Sequence, residues 1–133
     1  MTIHLDTSVL IDALTGPRRS LKRLSAFVAE GHRVILSTVV LYEWLRGPRT
    51  TAELQVQEEM FPRRAAVPFD AEAATQAAWL YRQTSRPRGR EVDLAVAACA
   101  LVQGAALWTL NHDDFRDLPG LELMQEPEPG QLP

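Results

Sequence analysis

Residues 2–14 read TIHLDTSVLIDAL, and this stretch decides the fold class. Its apolar opening, Thr2–Leu5, predicts a β-strand that ends at Asp6. Thr7 and Ser8 are suited to capping a helix, and the apolar residues after them recur at helical spacing to the end of the stretch. A strand that passes at once into a helix, with a carboxylate at the junction, is typical of a parallel α/β fold.

The rest of the chain alternates short apolar runs with longer segments of helical spacing. Further strands are predicted at residues 33–36, 65–67, 105–109 and 121–123. Further helices are predicted at residues 21–28, 38–45, 51–61, 71–83 and 92–103. This order predicts a three-layer α/β/α sandwich around a parallel sheet of five strands.

Length and composition indicate one globular domain in a reducing compartment. The 133 residues suit a single domain at 1–124, followed by a flexible Pro/Glu-rich tail at 125–133. Cys99 is the only cysteine, so no intrachain disulfide can form, and we expect it in the core of a cytoplasmic protein. No apolar run approaches the ~20 residues that span a bilayer, and no basic leader precedes the first strand, so we expect no membrane association.

Charge is distributed unevenly along the chain, although the net charge is only −3. Residues 1–90 carry 13 of the 14 basic side chains and 9 acidic ones, whereas residues 91–133 carry 8 acidic side chains and one basic one. This asymmetry is compatible with an acidic cluster beside a basic surface, which suits a metal-dependent nuclease. Ordinary variation of a solvated surface is the alternative.

Four acidic residues are placed where the carboxyl ends of parallel strands meet, the edge at which such sheets carry their functional groups. They are Asp6, Glu43, Asp93 and one of the adjacent pair Asp113 and Asp114. Two carboxylates ~5 Å apart repel by about 3 kcal/mol at an effective dielectric near 20. Four together would raise one another's pKa values unless a divalent cation neutralised them. Mg²⁺ prefers such oxygen ligands, whereas His4, His32, His112 and Cys99 show no zinc-ligand spacing.

Each acid also has an ordinary structural interpretation. Asp6 could cap a helix, Glu43 could be an exposed helical residue, and Asp93 could favour a helix N-terminus. Asp113 and Asp114 could form a solvated turn. Glu43 and Asp93 weaken this account, because their sequence neighbours are apolar and no basic residue is expected on the same helical faces, so a cation from solution is the natural partner.

Four motifs in order resemble those of PIN-domain proteins, over about residues 2–123. They are residues 3–11 (IHLDTSVLI), 36–43 (LSTVVLYE), 93–98 (DLAVAA) and 109–115 (TLNHDDF), the last followed by Pro119-Gly120-Leu121. Within that group the chain looks most like VapC ribonuclease toxins of type II toxin–antitoxin pairs. The resemblance implies an α/β/α sandwich, RNA cleavage dependent on Mg²⁺ or Mn²⁺ with a 5′-phosphate product, homodimerisation, and inhibition by a VapB-type antitoxin.

The same resemblance assigns roles to individual residues. It implies that the catalytic and metal-binding acids are Asp6, Glu43, Asp93 and Asp114. It implies supporting positions at Thr7, Ser8, Thr109, Asn111 and Asp113. As a mechanism, metal would activate a water for in-line attack on the scissile phosphate and stabilise the leaving 3′ oxygen.

The basic residues near these motifs suggest how RNA could be bound. The arginines predicted to contact RNA phosphates are Arg46, Arg86, Arg88 and Arg90, with Arg49 and Arg82 as further candidates. The densest group, residues 86–90, could equally face an antitoxin, and any one arginine could simply be solvated. The alternative function is a non-catalytic PIN-like module that binds RNA or protein. A P-loop hydrolase is excluded, because Lys22 is the only lysine and no Gly-Lys-Ser/Thr turn surrounds it.

Overall fold

Three parallel strands form the central sheet of the computed structural model, which describes residues 1–125. The middle strand is β1 (Thr2–Leu5), flanked by β2 (Arg33–Ile35) and β3 (Ala106–Trp108), and it runs parallel to both. Within the described range the α-helices are α1 (Thr7–Leu14), α2 (Leu21–Ala29), α3 (Thr38–Arg46), α4 (Thr51–Met60), α5 (Ala71–Gln83) and α6 (Glu91–Val102). Short 3₁₀ turns lie at Arg63–Ala65 and His112–Asp114. The α/β class and the parallel sheet are confirmed.

The predicted strand number of five is wrong for the described residues. The outer two segments each form a single parallel bridge, Ser37 with Val67 and Leu107 with Leu123. Pairing at Val67 cannot continue because Pro68 follows it and has no N–H to donate. Leu107 exchanges hydrogen bonds with the residues on either side of Leu123, at 2.8 Å each, and no ladder extends beyond them. Five segments are therefore aligned, but only three are strands.

The helix boundaries follow the predicted ones within two residues, and side chains cap the first turns of α3 and α5. The Ser37 hydroxyl accepts a hydrogen bond from the N–H of Val40 at the start of α3, at 3.4 Å. The Asp70 carboxylate accepts one from the N–H of Ala73 at the start of α5, at 3.0 Å. These side chains satisfy amide groups that the first turn of a helix leaves unpaired.

The core fixes the ends of the strands relative to the helices. Ile3 and Leu5 of β1 are completely buried, and α6 is buried along almost its whole length from Leu94 to Ala100. Cys99 lies in this helix and is buried, as predicted. Burial of each large apolar side chain contributes roughly 2 kcal/mol, so the carboxyl edge of the sheet is held rigidly.

Two further predictions concern the C-terminal tail and the absence of a membrane-spanning segment. The predicted tail, 125–133, lies outside the described residues except for Gln125. Among residues 1–125, no helix combines the length and apolar character that crossing a bilayer demands.

His4, fully buried in the middle of β1, should make the protein less stable in acid. Burial lowers the pKa of its imidazole from 6.5 to about 4. Between these two pH values the His4 imidazole binds a proton in the unfolded chain but stays neutral in the folded chain. The free energy of unfolding therefore falls as pH falls from about 6.5 to 4. The loss is about 3 kcal/mol in total, at 1.36 kcal/mol per pKa unit.

Urea unfolding of the wild type and of a His4→Leu variant at several pH values measures this effect. We expect the difference in unfolding free energy between the two proteins to shift in favour of the variant as the pH is lowered from 7.5 to 4. A difference that stays constant over this range contradicts the assignment of a neutral, buried imidazole.

Candidate active site

Asp6 lies where β1 ends and α1 begins, and hydroxyl groups hold its side chain. Its backbone N–H donates to the carbonyl of Trp108 at 2.9 Å, which extends the pairing of β1 with β3 by one residue. Ser8 Oγ and Thr109 Oγ1 donate to Asp6 Oδ2 at 2.9 and 2.7 Å. The carboxylate is 5% exposed and does not cap the helix, although Asp6 occupies the N-cap position. The capping interpretation of Asp6 is therefore wrong.

The predicted helix caps at residues 7 and 8 are also wrong, because both hydroxyl groups donate hydrogen bonds to acidic side chains. Thr7 Oγ1 donates to Glu43 Oε1 at 2.6 Å, between α1 and α3. Ser8 Oγ in turn accepts a hydrogen bond from the backbone N–H of Leu110 at 3.1 Å. The start of α1 thus links the first and second acids of the predicted set to the segment that follows β3.

Glu43 has a basic neighbour that the sequence analysis did not expect. Arg46 lies one turn further along α3, and its guanidinium is 3.5 Å from Glu43 Oε2. The spacing of three residues places both side chains on one side of the helix. The side chain of Arg46 is 55% exposed and that of Glu43 19%, so the pair is solvated at one end and contributes little to stability. The inference that Glu43 lacks a basic partner is corrected.

Asp93 lies in the first turn of α6, and the charges of the other three acids act on its carboxyl group. Burial, and then repulsion from Asp6, Asp114 and Glu43 in that order of strength, together raise the pKa of its carboxyl to about 6. Arg90 acts in the opposite direction, but more weakly. Carboxylates that come from four separate segments of the chain therefore share one region at the carboxyl edge of the sheet.

Asp113 and Asp114 are adjacent in sequence but face different surroundings. Asp113 forms an ion pair with Arg116 at 2.6 Å, and its side chain is 88% exposed. Asp114 is the one whose charge acts on Asp93. The 3₁₀ turn that carries them is closed by the N–H of Asp114 donating to the carbonyl of Asn111 at 3.0 Å. This arrangement favours Asp114 over Asp113 as the fourth acid.

The supporting positions at the end of β3 form a short chain of hydrogen bonds. Thr109 Oγ1 lies 3.4 Å from Ser8 Oγ and accepts from the backbone N–H of Asn111 at 3.0 Å. Thr109 is completely buried, so its hydroxyl has a fixed environment. Asn111 contributes through its backbone in this arrangement, and its side chain is exposed.

The donor chemistry of the site fits a hard divalent cation that keeps part of its water shell. Within residues 1–125, no three acidic, histidine or cysteine side chains are arranged, as they stand, to hold a metal ion directly. Mg²⁺ does not need such a cage, because it is usually held by one or two carboxylates, waters and a substrate phosphate. The pKa of Asp93 is raised by burial and by repulsion from Asp6, Asp114 and Glu43, and a divalent cation would relieve that repulsion.

The four predicted RNA-binding arginines are not equivalent. Arg46 lies beside Glu43 and packs its guanidinium 5.3 Å from the ring centre of Tyr42. Arg86 and Arg88 are exposed in the loop before α6. Arg90 instead points back to the protein and forms a two-contact ion pair with Asp117, a residue that the sequence analysis did not single out.

Comparisons with known proteins agree with this architecture. A chain of VapBC2 from Rickettsia felis, in a structure with a DNA fragment from their promoter, aligns with a TM-score of 0.73 and 20% identity over 96% of this chain and 100% of that one. A chain of DNA-bound VapBC from Salmonella typhimurium aligns with a TM-score of 0.73 and 21% identity, covering 93% and 97%. VapBC-5 from Mycobacterium tuberculosis, of the VapBC toxin–antitoxin family, gives 0.62 and 27%, covering 94% and 98%.

Sequence comparison gives the family directly. No curated protein matches the chain significantly. The family model for the PIN domain matches residues 3–121, which is nearly the whole described chain and includes all four acids. The protein therefore belongs to the PIN domain family.

Proposed function

We propose that this PIN domain is an endoribonuclease dependent on Mg²⁺ or Mn²⁺, and the VapC-like toxin of a type II toxin–antitoxin pair. The observation that carries the proposal is the placement of Asp6, Glu43 and Asp114 around Asp93, whose carboxyl pKa is raised to about 6 by burial and by repulsion from these three acids. Strongly shifted carboxyl groups that crowd one another are a mark of functional sites. Family membership makes nuclease chemistry the leading interpretation of such a cluster.

The residues of the chain prepare this site in distinct ways. Asp6, Glu43, Asp93 and Asp114 would hold the metal. When bound, Mg²⁺ or Mn²⁺ supplies the positive charge that activates water and stabilises the scissile phosphate. Ser8 and Thr109 fix the Asp6 carboxylate, and Thr7 fixes Glu43, so that little reorganisation is needed during the reaction.

The proposed partners follow from the relatives and from the basic surface. The structural relatives described above come from toxin–antitoxin complexes, which supports a VapB-type antitoxin as the partner. A homodimer is the assembly that the resemblance to VapC toxins implies. Arg46, next to Glu43, is the arginine best placed to meet an RNA phosphate at the acids. Arg86 and Arg88 remain predicted RNA contacts further out.

Metal-dependent cleavage of RNA by the purified full-length chain tests the proposal. A mixture of structured RNAs is incubated with the protein alone, with EDTA, and with Mn²⁺ restored after EDTA. Cleavage that EDTA stops and Mn²⁺ restores, and that an Asp6→Asn protein purified in the same way lacks, is the expected result. RNA binding without cleavage under all three conditions would favour the alternative, a non-catalytic binding module.

The neighbouring acids Asp113 and Asp114 offer a matched pair of variants. We expect Asp114→Asn to lower the rate of RNA cleavage by at least tenfold, because its charge acts on Asp93. Asp113→Asn should keep the rate within about twofold, since that side chain is solvated and paired with Arg116. Cleavage rates at saturating Mn²⁺ measure both, and the reverse order would make Asp113 the fourth acid.

A further inference from the structure

We propose that Arg90 and Asp117 form a clasp that holds the loop bearing Asp114 against the first turn of α6 bearing Asp93, and so sets the spacing of the third and fourth acids. Arg90 Nη1 donates to Asp117 Oδ2 at 2.9 Å, and Nη2 donates to Asp117 Oδ1 at 2.7 Å. The same Nη2 donates to the backbone carbonyl of Asp114 at 2.9 Å. This inference rests on the proposed function, because it concerns the same site.

The place of Arg90 at the start of α6 favours a role in the contact with Asp117 and the Asp114 loop over a role in the helix itself. Arg90 occupies the N-cap position of α6, where Ser, Thr, Asp or Asn would stabilise the helix, and its side chain makes no capping hydrogen bond. A cation at a helix N-terminus is also disfavoured by the helix dipole. Position 90 therefore lacks a capping side chain and instead carries a long guanidinium side chain that reaches the Asp114 loop.

The loop before α6 is shaped to deliver Arg90 to this point. Gly89 has a φ of 84°, a conformation that suits glycine and not residues with a Cβ. Gly89 is the third residue of a turn over residues 87–90, in which the N–H of Arg90 donates to the carbonyl of Pro87 at 3.0 Å. The carbonyl of Arg90 then accepts from Leu94 at 2.9 Å, within α6. Hydrogen bonds at both its N–H and its carbonyl therefore hold the backbone of Arg90 independently of its side chain.

The ion pair itself has the geometry of the stronger class. Two parallel N–H···O contacts between a guanidinium and a carboxylate fix orientation as well as distance. Arg90 is the less exposed partner, with 21% of its side chain accessible against 44% for Asp117. The pair raises the pKa of Arg90 and lowers the pKa of Asp117, which indicates that both stay charged near neutral pH.

A clasp and an RNA contact make opposite predictions for Arg90. The sequence analysis predicted that Arg90 binds RNA phosphate, but its donors already face Asp117 and the Asp114 carbonyl. A residue that positions Asp114 acts on metal binding when no RNA is present. A residue that contacts RNA acts on the affinity for RNA and on its dependence on salt.

Mn²⁺ affinity of the RNA-free, full-length protein is the measurement that separates these roles. The variants are Arg90→Ala, Asp117→Ala and the double variant, with Arg116→Ala as the matched control. Arg116 lies on the same loop and pairs with Asp113, so its removal deletes an equal charge without touching the clasp. Loss of a positive charge near the acids should by itself strengthen Mn²⁺ binding.

We expect Arg90→Ala to weaken Mn²⁺ binding about tenfold despite that charge effect, which is the usual scale for residues that orient metal ligands. Asp117→Ala should weaken it by a similar or smaller factor, and the double variant no more than Arg90→Ala, because one interaction is removed in all three. Arg90→Lys should recover part of the affinity, since one ammonium replaces the fork. In cleavage, kcat should fall while KM for RNA stays near the wild-type value.

Hydrogen exchange in the metal-free protein checks the clasp independently of the proposed function. The N–H groups of Asp114 and Phe115 close the 3₁₀ turn, each with a 3.0 Å hydrogen bond. In Arg90→Ala and Asp117→Ala they should exchange about tenfold faster, while amides in the centre of α6 keep their wild-type rates and show that the fold is intact.

Two results would overturn the clasp. One is unchanged or tighter Mn²⁺ binding in Arg90→Ala together with unchanged exchange in the Asp114 turn. The other is an Arg90→Ala defect confined to the KM for RNA and its salt dependence, with Asp117→Ala like the wild type. If the wild type binds no Mn²⁺, the proposed function fails, and the exchange rates still decide whether the clasp orders the turn.

Discussion

Replacing Asp6 by asparagine should lower the rate of RNA cleavage by about 10²–10³-fold while leaving the fold intact. That range is the usual cost of losing one group that acts electrostatically on the transition state. Asp6 is the most buried of the four acids, and its carboxylate is held by Ser8 and Thr109 at 2.9 and 2.7 Å. Asparagine has nearly the same shape and keeps an oxygen that can accept these hydrogen bonds, but it lacks the charge.

Two controls separate a chemical effect from a structural one. The melting temperature of Asp6→Asn in EDTA should equal or exceed that of the wild type, because one of four repelling charges is gone. Thr109→Val removes a donor to Asp6 without removing the charge, so it should give a smaller loss of activity, about tenfold. Cleavage by Asp6→Asn at the wild-type rate, in a protein that is folded, would refute the role assigned to Asp6.

Replacing Asp93 by asparagine should reverse the order of stability of variant and wild type according to whether metal is present. In EDTA above pH 6 we expect the variant to be more stable by about 1 kcal/mol, the common gain when a functional carboxylate is neutralised. With Mn²⁺ at a hundred times its Kd, the wild type gains about 2.7 kcal/mol and the variant little, so the order inverts. Melting temperatures under the two conditions measure the inversion.

The pH dependence of this effect has a definite sign. The folded pKa of Asp93, about 6, lies above the ordinary aspartate value of 3.8. The folded protein therefore gains stability as pH falls through 6 towards 4, where Asp93 binds a proton, and loses it as pH rises through 6. The advantage of Asp93→Asn in EDTA should be largest above pH 6 and disappear near pH 4. An advantage that grows on acidification would contradict the crowding of four carboxylates.

Protons should also compete with the metal in the same range. Above pH 6 Asp93 is ionised and available as a ligand, and below that pH its proton must leave before metal binds. We expect the Mn²⁺ affinity of the wild type to fall up to tenfold per pH unit below about pH 6. Asp113→Asn should show the same profile, because Asp113 is solvated and paired with Arg116.

The acids could be predicted from sequence because their positions depend on strong local patterns. The run from Thr2 to Leu5 is short and is followed at once by the helical pattern of α1, so a strand with Asp6 at its carboxyl end was the natural prediction. Glu43 lies in a segment with clear helical spacing, and Asp93 lies at the start of a long apolar, alanine-rich run that ends at a glycine. Parallel connectivity then brings the carboxyl ends of the strands to one edge, whatever the details of packing.

The sequence pattern could not predict whether the outer segments form strands, or which groups the hydroxyls of Thr7 and Ser8 bind. Runs of three residues near Val67 and Leu123 have the composition of strands, but whether a ladder forms depends on neighbours that the pattern does not show. Thr7 and Ser8 are equally suited to capping amides and to binding carboxylates. Which of these occurs depends on Glu43 and Thr109, far away in sequence.

The partners of the arginines also could not be predicted from the sequence pattern. A basic loop at 86–90 is typical of a solvated or RNA-binding surface when only its composition is considered. The pairing of Arg90 with Asp117 joins residues 27 positions apart, and it exists only once α6 and the turn after β3 have packed together. Charge composition predicted where cations lie along the chain, but not which of them the fold uses internally.

Titration of the full-length, metal-free protein with Mn²⁺ at pH 7.5, followed by the EPR signal of free Mn²⁺, tests the convergence of the four acids most directly. The wild type should bind Mn²⁺ saturably, and an Asp6→Asn/Asp93→Asn variant that melts as cooperatively as the wild type should bind at least about 100-fold more weakly. Equal binding by the two proteins, or no binding by either, would contradict a metal site at this edge of the sheet.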